Sequence, residues 1–252
     1  MLKLVKVNLT FKIGNQINHI FNDFDLTVKP GEFLIIIGGN GAGKTTLFNL
    51  ICGNLKPNEG SIFLDKVDVT SLSRVRQSND IALVMQDPLK GTIEQMTIYE
   101  NLCFAQKRGQ KRGLKFFDSA LSRDYFKQKL SLLKMGLENR LDELVGSLSG
   151  GQRQALSLIM AISANYKILL LDEITAALDP KTSEKVMEIS NEIIKKEGIT
   201  AIMITHNMHH AVHFGDRLVL LNSGEIIKDF CQQEKQQLDP MTVSLLFNEL
   251  YT

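Results

Sequence analysis

Phe33-Leu-Ile-Ile-Ile-Gly38-Gly39-Asn40-Gly41-Ala42-Gly43-Lys44-Thr45-Thr46 decides the fold. Its first five residues are apolar on both faces, as a strand of a covered parallel sheet requires. Gly38 to Thr45 match the pattern G-x-x-x-x-G-K-[S/T] in full, and a helix-forming run follows over 45–54. Strand, glycine loop and helix in that order build an anion cradle. The glycines let consecutive backbone N–H groups turn toward one anion, and the helix N-terminus adds partial positive charge. Lys44 brings a full charge to the β- and γ-phosphates of a nucleotide, and the Thr45 hydroxyl offers a ligand to Mg²⁺. An ordinary glycine turn explains the glycines but not the strand, Lys44, Thr45 and helix together.

The same texture recurs outward from this loop. Short apolar runs at 81–85, 168–171 and 201–205 read as further buried strands. Segments 152–165 and 181–196 read as helices between them, which argues for a doubly wound α/β core. Residues 2–12, 20–28 and 60–70 read as strands and turns. Runs 217–221 and 225–230 flank Asn222-Ser223-Gly224, a hairpin signal. A mostly antiparallel sheet is therefore expected beside the parallel one. The expected division is a nucleotide-binding core with an antiparallel β subdomain over 1–87 and 151–230, a helical insert over 88–150, and a tail over 231–252. The insert carries a basic run at 107–115, read as solvated surface, and the tail ends in an amphipathic helix.

Composition narrows the classes. Basic residues number 29 and acidic residues 28, so the net charge of +1 gives no electrostatic case for nucleic acid as a partner. Cys52, Cys103 and Cys231 are odd in number and widely spaced, which fits a reducing compartment rather than a disulfide framework. No apolar run approaches the ~20 residues of a membrane helix. A cytoplasmic location is expected, with any membrane role acting through a partner.

Two more motifs carry chemistry. Ile168-Leu-Leu-Leu-Asp172-Glu173 is an apolar strand ending in paired carboxylates. Asp172 is placed to bind Mg²⁺, and Glu173 to polarise an attacking water. Leu148-Ser149-Gly150-Gly151-Gln152 precedes a helix, with Ser149 as a good cap. It makes a second anion-binding helix end in a chain that already has one. Two copies paired head to tail would use both, each placing this end on the γ-phosphate held by the other.

With these residues the chain resembles the ATP-binding cassette (ABC) ATPase family over essentially its whole length. Gly38, Asn40, Gly41, Ala42, Gly43, Lys44, Thr45 and Thr46 match the Walker A loop, and Leu169–Glu173 the Walker B strand. Gln86, in Val84-Met-Gln-Asp-Pro88, matches the Q-loop. Ser149, Gly150, Gly151 and Gln152 match the signature, and Asp179, in Ala177-Leu-Asp179, the D-loop. His206, in Thr205-His-Asn207, matches the switch histidine, and Phe11 the aromatic that stacks on adenine. Ile174 stands where many members carry proline. The resemblance implies a RecA-like P-loop core with an antiparallel β subdomain and a helical subdomain, an ATPase using ATP and Mg²⁺, and an ATP-sandwich dimer.

Within the family the chain looks like the ATPase subunit of bacterial amino-acid-type importers, aromatic amino acids included. That implies an integral membrane permease, a substrate-binding protein, and a place on the inner face of the membrane. A soluble ABC ATPase of cluster assembly, or an export ATPase, stays open as an alternative. Catalytic roles fall to Glu173, His206 and Gln86, metal roles to Thr45, Gln86 and Asp172, and nucleotide contacts to the remaining matches. Asp179 also suits a helix cap ahead of Pro180.

Two other patterns are set aside. His206, His209, His210 and His213 cluster, but no cysteine or carboxylate nearby in sequence completes a zinc ligand set except Asp216. Asp65-Lys-Val-Asp68 distantly resembles a guanine-reading motif, but Asp stands where the base-reading Asn belongs.

Overall fold

The computed structural model describes residues 2–14, 16–77, 79–107, 120–163 and 166–249. In chain order they form β1 (Leu2–Ile13), β2 (Gln16–Val28), β3 (Phe33–Ile37), α1 (Lys44–Ile51), β4 (Glu59–Leu64), β5 (Val67–Asp68), α2 (Arg74–Gln77), β6 (Ile81–Val84), α3 (Ile98–Gln106), α4 (Ala120–Ser131) and α5 (Gly150–Ile162). Then follow β7 (Ile168–Asp172), α6 (Pro180–Lys196), β8 (Thr200–Ile204), α7 (Met208–His213), β9 (Arg217–Asn222), β10 (Glu225–Phe230), α8 (Gln232–Lys235) and α9 (Pro240–Glu249).

Two sheets form. The larger has the order β10-β9-β3-β8-β7-β6, parallel from β9 to β6. The smaller is antiparallel, β2-β1-β4-β5. The two-residue period of the central strands sorts their side chains between two cores. Phe33, Ile35 and Ile37 join Leu169, Leu171, Ala201, Met203, Leu218 and Leu220 on the face covered by α3 to α7 and α9. Leu34 and Ile36 join Ile168, Leu170, Ile202, Ile204, Val219 and Leu221 on the face covered by α1 and the antiparallel sheet. The double-sided apolar runs of the sequence are thus double-sided in the fold.

One expectation is corrected. The 217–222 and 225–230 hairpin forms, but it belongs to the central sheet: β9 lies parallel to β3, and only β10 turns back. The reason is in β9, whose residues 218–221 are all buried, as an interior strand demands. The Asp65-Lys66 turn between β4 and β5 has positive φ at both residues, 49° and 69°, which makes that motif a hairpin turn.

Residues 88–150 hold α3, α4 and three single turns of 3₁₀ helix at Pro88–Lys90, Leu137–Asn139 and Val145–Ser147. Their only pairing of strand type among the described residues is the bridge Thr97↔Leu144. Ile98, Leu102, Phe126, Leu130, Leu137 and Leu141 share one core with the central sheet. Thr97 opens α3 with a capping box to Glu100. The basic run beyond Lys107 lies outside the described residues.

The tail is tied down by Lys235, at the end of α8. Its ammonium donates to the carbonyls of Val212 (2.8 Å), Phe214 and Gly215 (3.1 Å), where α7 ends. Burial pulls its pKa down to about 8, against the attraction of Asp216. Lys235→Ala leaves these carbonyls without their donor, so a stability loss of about 1–3 kcal/mol is expected in urea unfolding. An unchanged midpoint would contradict the role given to this contact.

Candidate nucleotide site

The site starts where β3 runs out. A Cβ on Gly38 would lie 2.4 Å from the Leu221 carbonyl oxygen of β9, so only glycine lets the loop leave the sheet here. Gly43 has φ of 100° and precedes α1, a helix with no side-chain cap and no acidic residue in its first turn. The N–H groups at that end are therefore left to an outside acceptor. Lys44 is buried, and its ammonium donates to the carbonyls of Gly38 (2.8 Å) and Gly39 (2.9 Å). Asn40, Gly41 and Thr45 are exposed, Thr46 half-buried and Ala42 buried.

Strand register brings the other groups to the same edge. Val84 pairs with Leu171, Leu171 with Met203, and Ile36 with Ile204. The carboxyl ends of β6, β7, β8 and β3 are therefore level, and Gln86, Asp172, Glu173, His206 and Gly38 leave the sheet side by side. Ligands of open α/β sheets bind at that edge. His206 Nε2 lies 2.7 Å from Glu173 Oε1. The Glu173 N–H donates to Ile204 O at 3.0 Å. Glu173 has φ of 46°, a left-handed conformation that costs a non-glycine residue about 1–3 kcal/mol.

Electrostatics couples the trio at the centre. Burial raises the Asp172 pKa, Glu173 raises it further, and Lys44 opposes both. Burial lowers the Lys44 pKa, while Glu173 and Asp172 hold it up. Two carboxylates against one ammonium leave excess negative charge in a half-buried place. The hydroxyl of Thr45 and the carboxylate of Asp172 are hard oxygen donors, and this set with its excess charge fits Mg²⁺.

Not every candidate joins this cluster. Phe11 is half-buried on β1, opposite Asn18, and packs against the core beneath the antiparallel sheet. It shares its hairpin with Phe21, whose ring would meet a Cβ on Gly43 at 3.1 Å. Ser149 and Gly150 are exposed at the start of α5, and a Cβ on Gly151 would lie 2.1 Å from Thr182 Cγ2 of α6. Ser149 Oγ accepts from Gln152 N at 3.3 Å, and Gln152 Oε1 accepts from Ser149 N at 3.2 Å, a capping box. Asp179 caps α6 through Thr182 N at 3.1 Å, and this bonding holds its carboxyl below the usual range. Ile174 is buried in the core.

The sequence reading overlooked two things. Gln154 is buried on α5 and donates to Met85 O at 3.2 Å, beside Gln86. Gln154 ends the polar run Gln152-Arg153-Gln154 just before the largely apolar stretch 155–162, and nothing in that pattern marks it as buried. The second is Glu184, which α6 brings up to His209 and His210.

A phosphate loop facing a coupled acidic strand end, on the carboxyl edge of a RecA-like parallel sheet, defines a P-loop nucleoside triphosphatase. The family model described as "ABC transporter" matches residues 21–176, and the chain belongs to that family as an ATP-binding, ATP-hydrolysing cassette. The tyrosine transport ATP-binding protein of Clostridioides difficile (strain R20291) is 43% identical over 221 residues, 88% of each chain. The dimeric post-hydrolysis structure of the cassette MJ0796 bound to ADP and Pi, a Methanocaldococcus jannaschii protein, superposes with a TM-score of 0.77. That match is 30% identical and covers 92% of this chain and 99% of that one. The ADP conformation of the cassette MJ1267 superposes with a TM-score of 0.81 at 25% identity, over 100% of this chain and 98% of the other.

The coupling between Lys44 and Asp172 is measurable. Lys44→Met removes the one influence that lowers the Asp172 pKa, so its carboxyl should titrate higher still by ¹³C NMR. A downward or absent shift would mean the two groups do not sense each other.

Proposed function

We propose that this chain powers a membrane importer by hydrolysing ATP between two copies of itself. This reading rests on two helix starts within one chain that each suit a phosphate. One lies in the loop that holds Lys44, and the other is the exposed start of α5 at Ser149, whose neighbours are Leu178 and Thr182 of its own chain. The dimeric form of the MJ0796 cassette supports pairing of this kind.

In this reading Lys44 turns from the Gly38 and Gly39 carbonyls to the β- and γ-phosphates. The N–H groups from Gly41 to Thr46 line the polyphosphate, and Phe11 stacks on the adenine. Thr45, Asp172 and Gln86 would hold Mg²⁺, which supplies charge neutralisation on the phosphate oxygens. Glu173 orients a water for in-line attack and takes up its proton. The close contact of His206 with Glu173 positions that carboxylate, and the same imidazole can turn to the γ-phosphate as negative charge develops. Ser149, Gly150, Gly151 and Gln152 of the second copy close over the γ-phosphate, with Asp179 beside them at the seam. ATP binding then favours the closed pair, and hydrolysis removes the bridge.

The membrane side of the reading rests on a groove. A cleft of about 440 Å³ lies between the edge strand β6, α3 and α5, and Met85, Phe104 and Met160 are among its lining residues. Phe104 is 46% exposed and Leu89, beside the cleft in sequence, 50%. A permease loop seated there would touch the segment that carries Gln86, so motion of the 88–150 insert would reach the permease. No described helix is long and apolar enough to cross a membrane. Contact with the bilayer in this reading is made through the permease, on the cytoplasmic face. The tyrosine transport relative supports an aromatic amino acid as cargo, and in this reading a substrate-binding protein delivers it.

Glu173→Gln should bind ATP, lose at least about 10²-fold in turnover, and accumulate as an ATP-dependent dimer. Light scattering that finds only monomer at saturating ATP would sink the paired site. Ser149→Arg should keep nucleotide affinity by calorimetry but stop phosphate release. Full turnover in that variant would mean the α5 end does not close the pocket.

A further inference from the structure

Beside Glu173 and His206 the chain builds a second cluster that the reaction above does not use. They share a cleft of about 540 Å³ whose lining includes Thr175, Glu184, His209 and His210. His210 is 2% exposed, on α7. Its Nδ1 faces the Thr175 hydroxyl at 3.4 Å, and its Nε2 faces Glu184 Oε2 at 3.3 Å. His209 Nδ1 comes within 3.6 Å of the same carboxylate oxygen. The three donor atoms all lie within 4.8 Å of one another.

We propose that Glu184, His209 and His210 bind one Zn²⁺ ion, bridging α6 to α7. Two ligands of a tetrahedral ion with bonds near 2.0–2.1 Å stand about 3.3–3.4 Å apart. The separations from Glu184 to the two imidazoles, 3.3 and 3.6 Å, lie close to that span. The donor set is two imidazoles and one carboxylate, which suits zinc and not the hard Mg²⁺ of the nucleotide site. The surroundings hold the ligands in place. Thr175 partners the far nitrogen of His210, the kind of outer contact that fixes an imidazole tautomer. His213 stacks on His209 with centroids 4.0 Å apart, and its Nδ1 bonds His209 O at 2.9 Å. Burial lowers the His210 pKa, against the pull of Glu184, which favours the neutral imidazole that a metal needs. Three protein ligands leave a fourth position open to the cleft.

The bridge would join the helix that follows Asp179 to the helix that follows His206. Binding itself assumes nothing about ATP turnover. The carboxylate comes from a segment remote in sequence, so the spacing of the histidines alone could not reveal the set.

The test is calorimetric titration of the full chain with Zn²⁺ alone, without nucleotide or Mg²⁺, read alongside thermal unfolding. The native chain should bind one Zn²⁺ and melt at a higher temperature in its presence. Glu184→Gln and His209→Ala alter exposed or half-buried side chains, and circular dichroism verifies their fold. Each should weaken binding by at least about tenfold and lose the thermal shift. Absence of saturable binding in the native chain would overturn the site. So would undiminished affinity in the variants, which would place the ion on other surface groups.

Discussion

Parallel pairing of β6, β7, β8 and β3 in one register is the constraint on which the site depends. None of Gln86, Asp172, Glu173, His206 or Gly38 is near another in sequence except the two carboxylates. They meet because four strands end level. The register is held from both sides. A slip of one residue in β3 would send Phe33, Ile35 and Ile37 to the face of α1, and Leu34 and Ile36 to the face of α5. Each face is filled by side chains of other strands and helices, so such a slip would disturb both cores at once. The geometry of the charged edge is thus set by apolar packing several residues below it.

That edge is built at a cost. Asp172 is pushed toward its neutral form and Lys44 toward its own by the same burial, and each restrains the shift in the other. Glu173 is held at a positive φ, with its N–H on Ile204 O and its carboxylate on His206. Half-buried charge and backbone strain are tolerated where the surrounding structure fixes them, and places of this kind are commonly functional.

The loop from Gly38 to Thr46 and the strand ending at Asp172 were readable from sequence because their chemistry and their secondary structure are both local. Glycine, lysine and threonine at set spacing force one conformation, and a double-sided apolar run is a buried strand wherever it pairs. The placing of β9 was not readable in that way. Asn222-Ser223-Gly224 announces a hairpin, but which sheet receives it depends on whether β3 has a free edge, a fact of assembly. The cluster around Glu184 was hidden for the same reason, since α6 and α7 meet only in the packed fold. Ser149 was legible as a cap, and its capping box bears that out.

Helix α5 connects these parts mechanically. Its first turn carries Ser149 and packs Gly151 against Thr182 so closely that no side chain fits between them. One turn further, Arg153 is ion-paired to Glu94 at 2.7 Å and bonds Gly146 O at 3.3 Å, which ties the helix to the 88–150 segment. The next residue, Gln154, holds Met85 O beside Gln86, and its own Oε1 is buried without a hydrogen bond. A displacement of α5 would therefore strain its contacts to Met85, to the insert and to the start of α6. In the proposed cycle the end of α5 that meets the second copy's phosphate and the Gln154 contact to Met85, at the permease groove, lie on one helix. Close packing between α5 and its neighbours then transmits the motion, and no separate signalling path is needed.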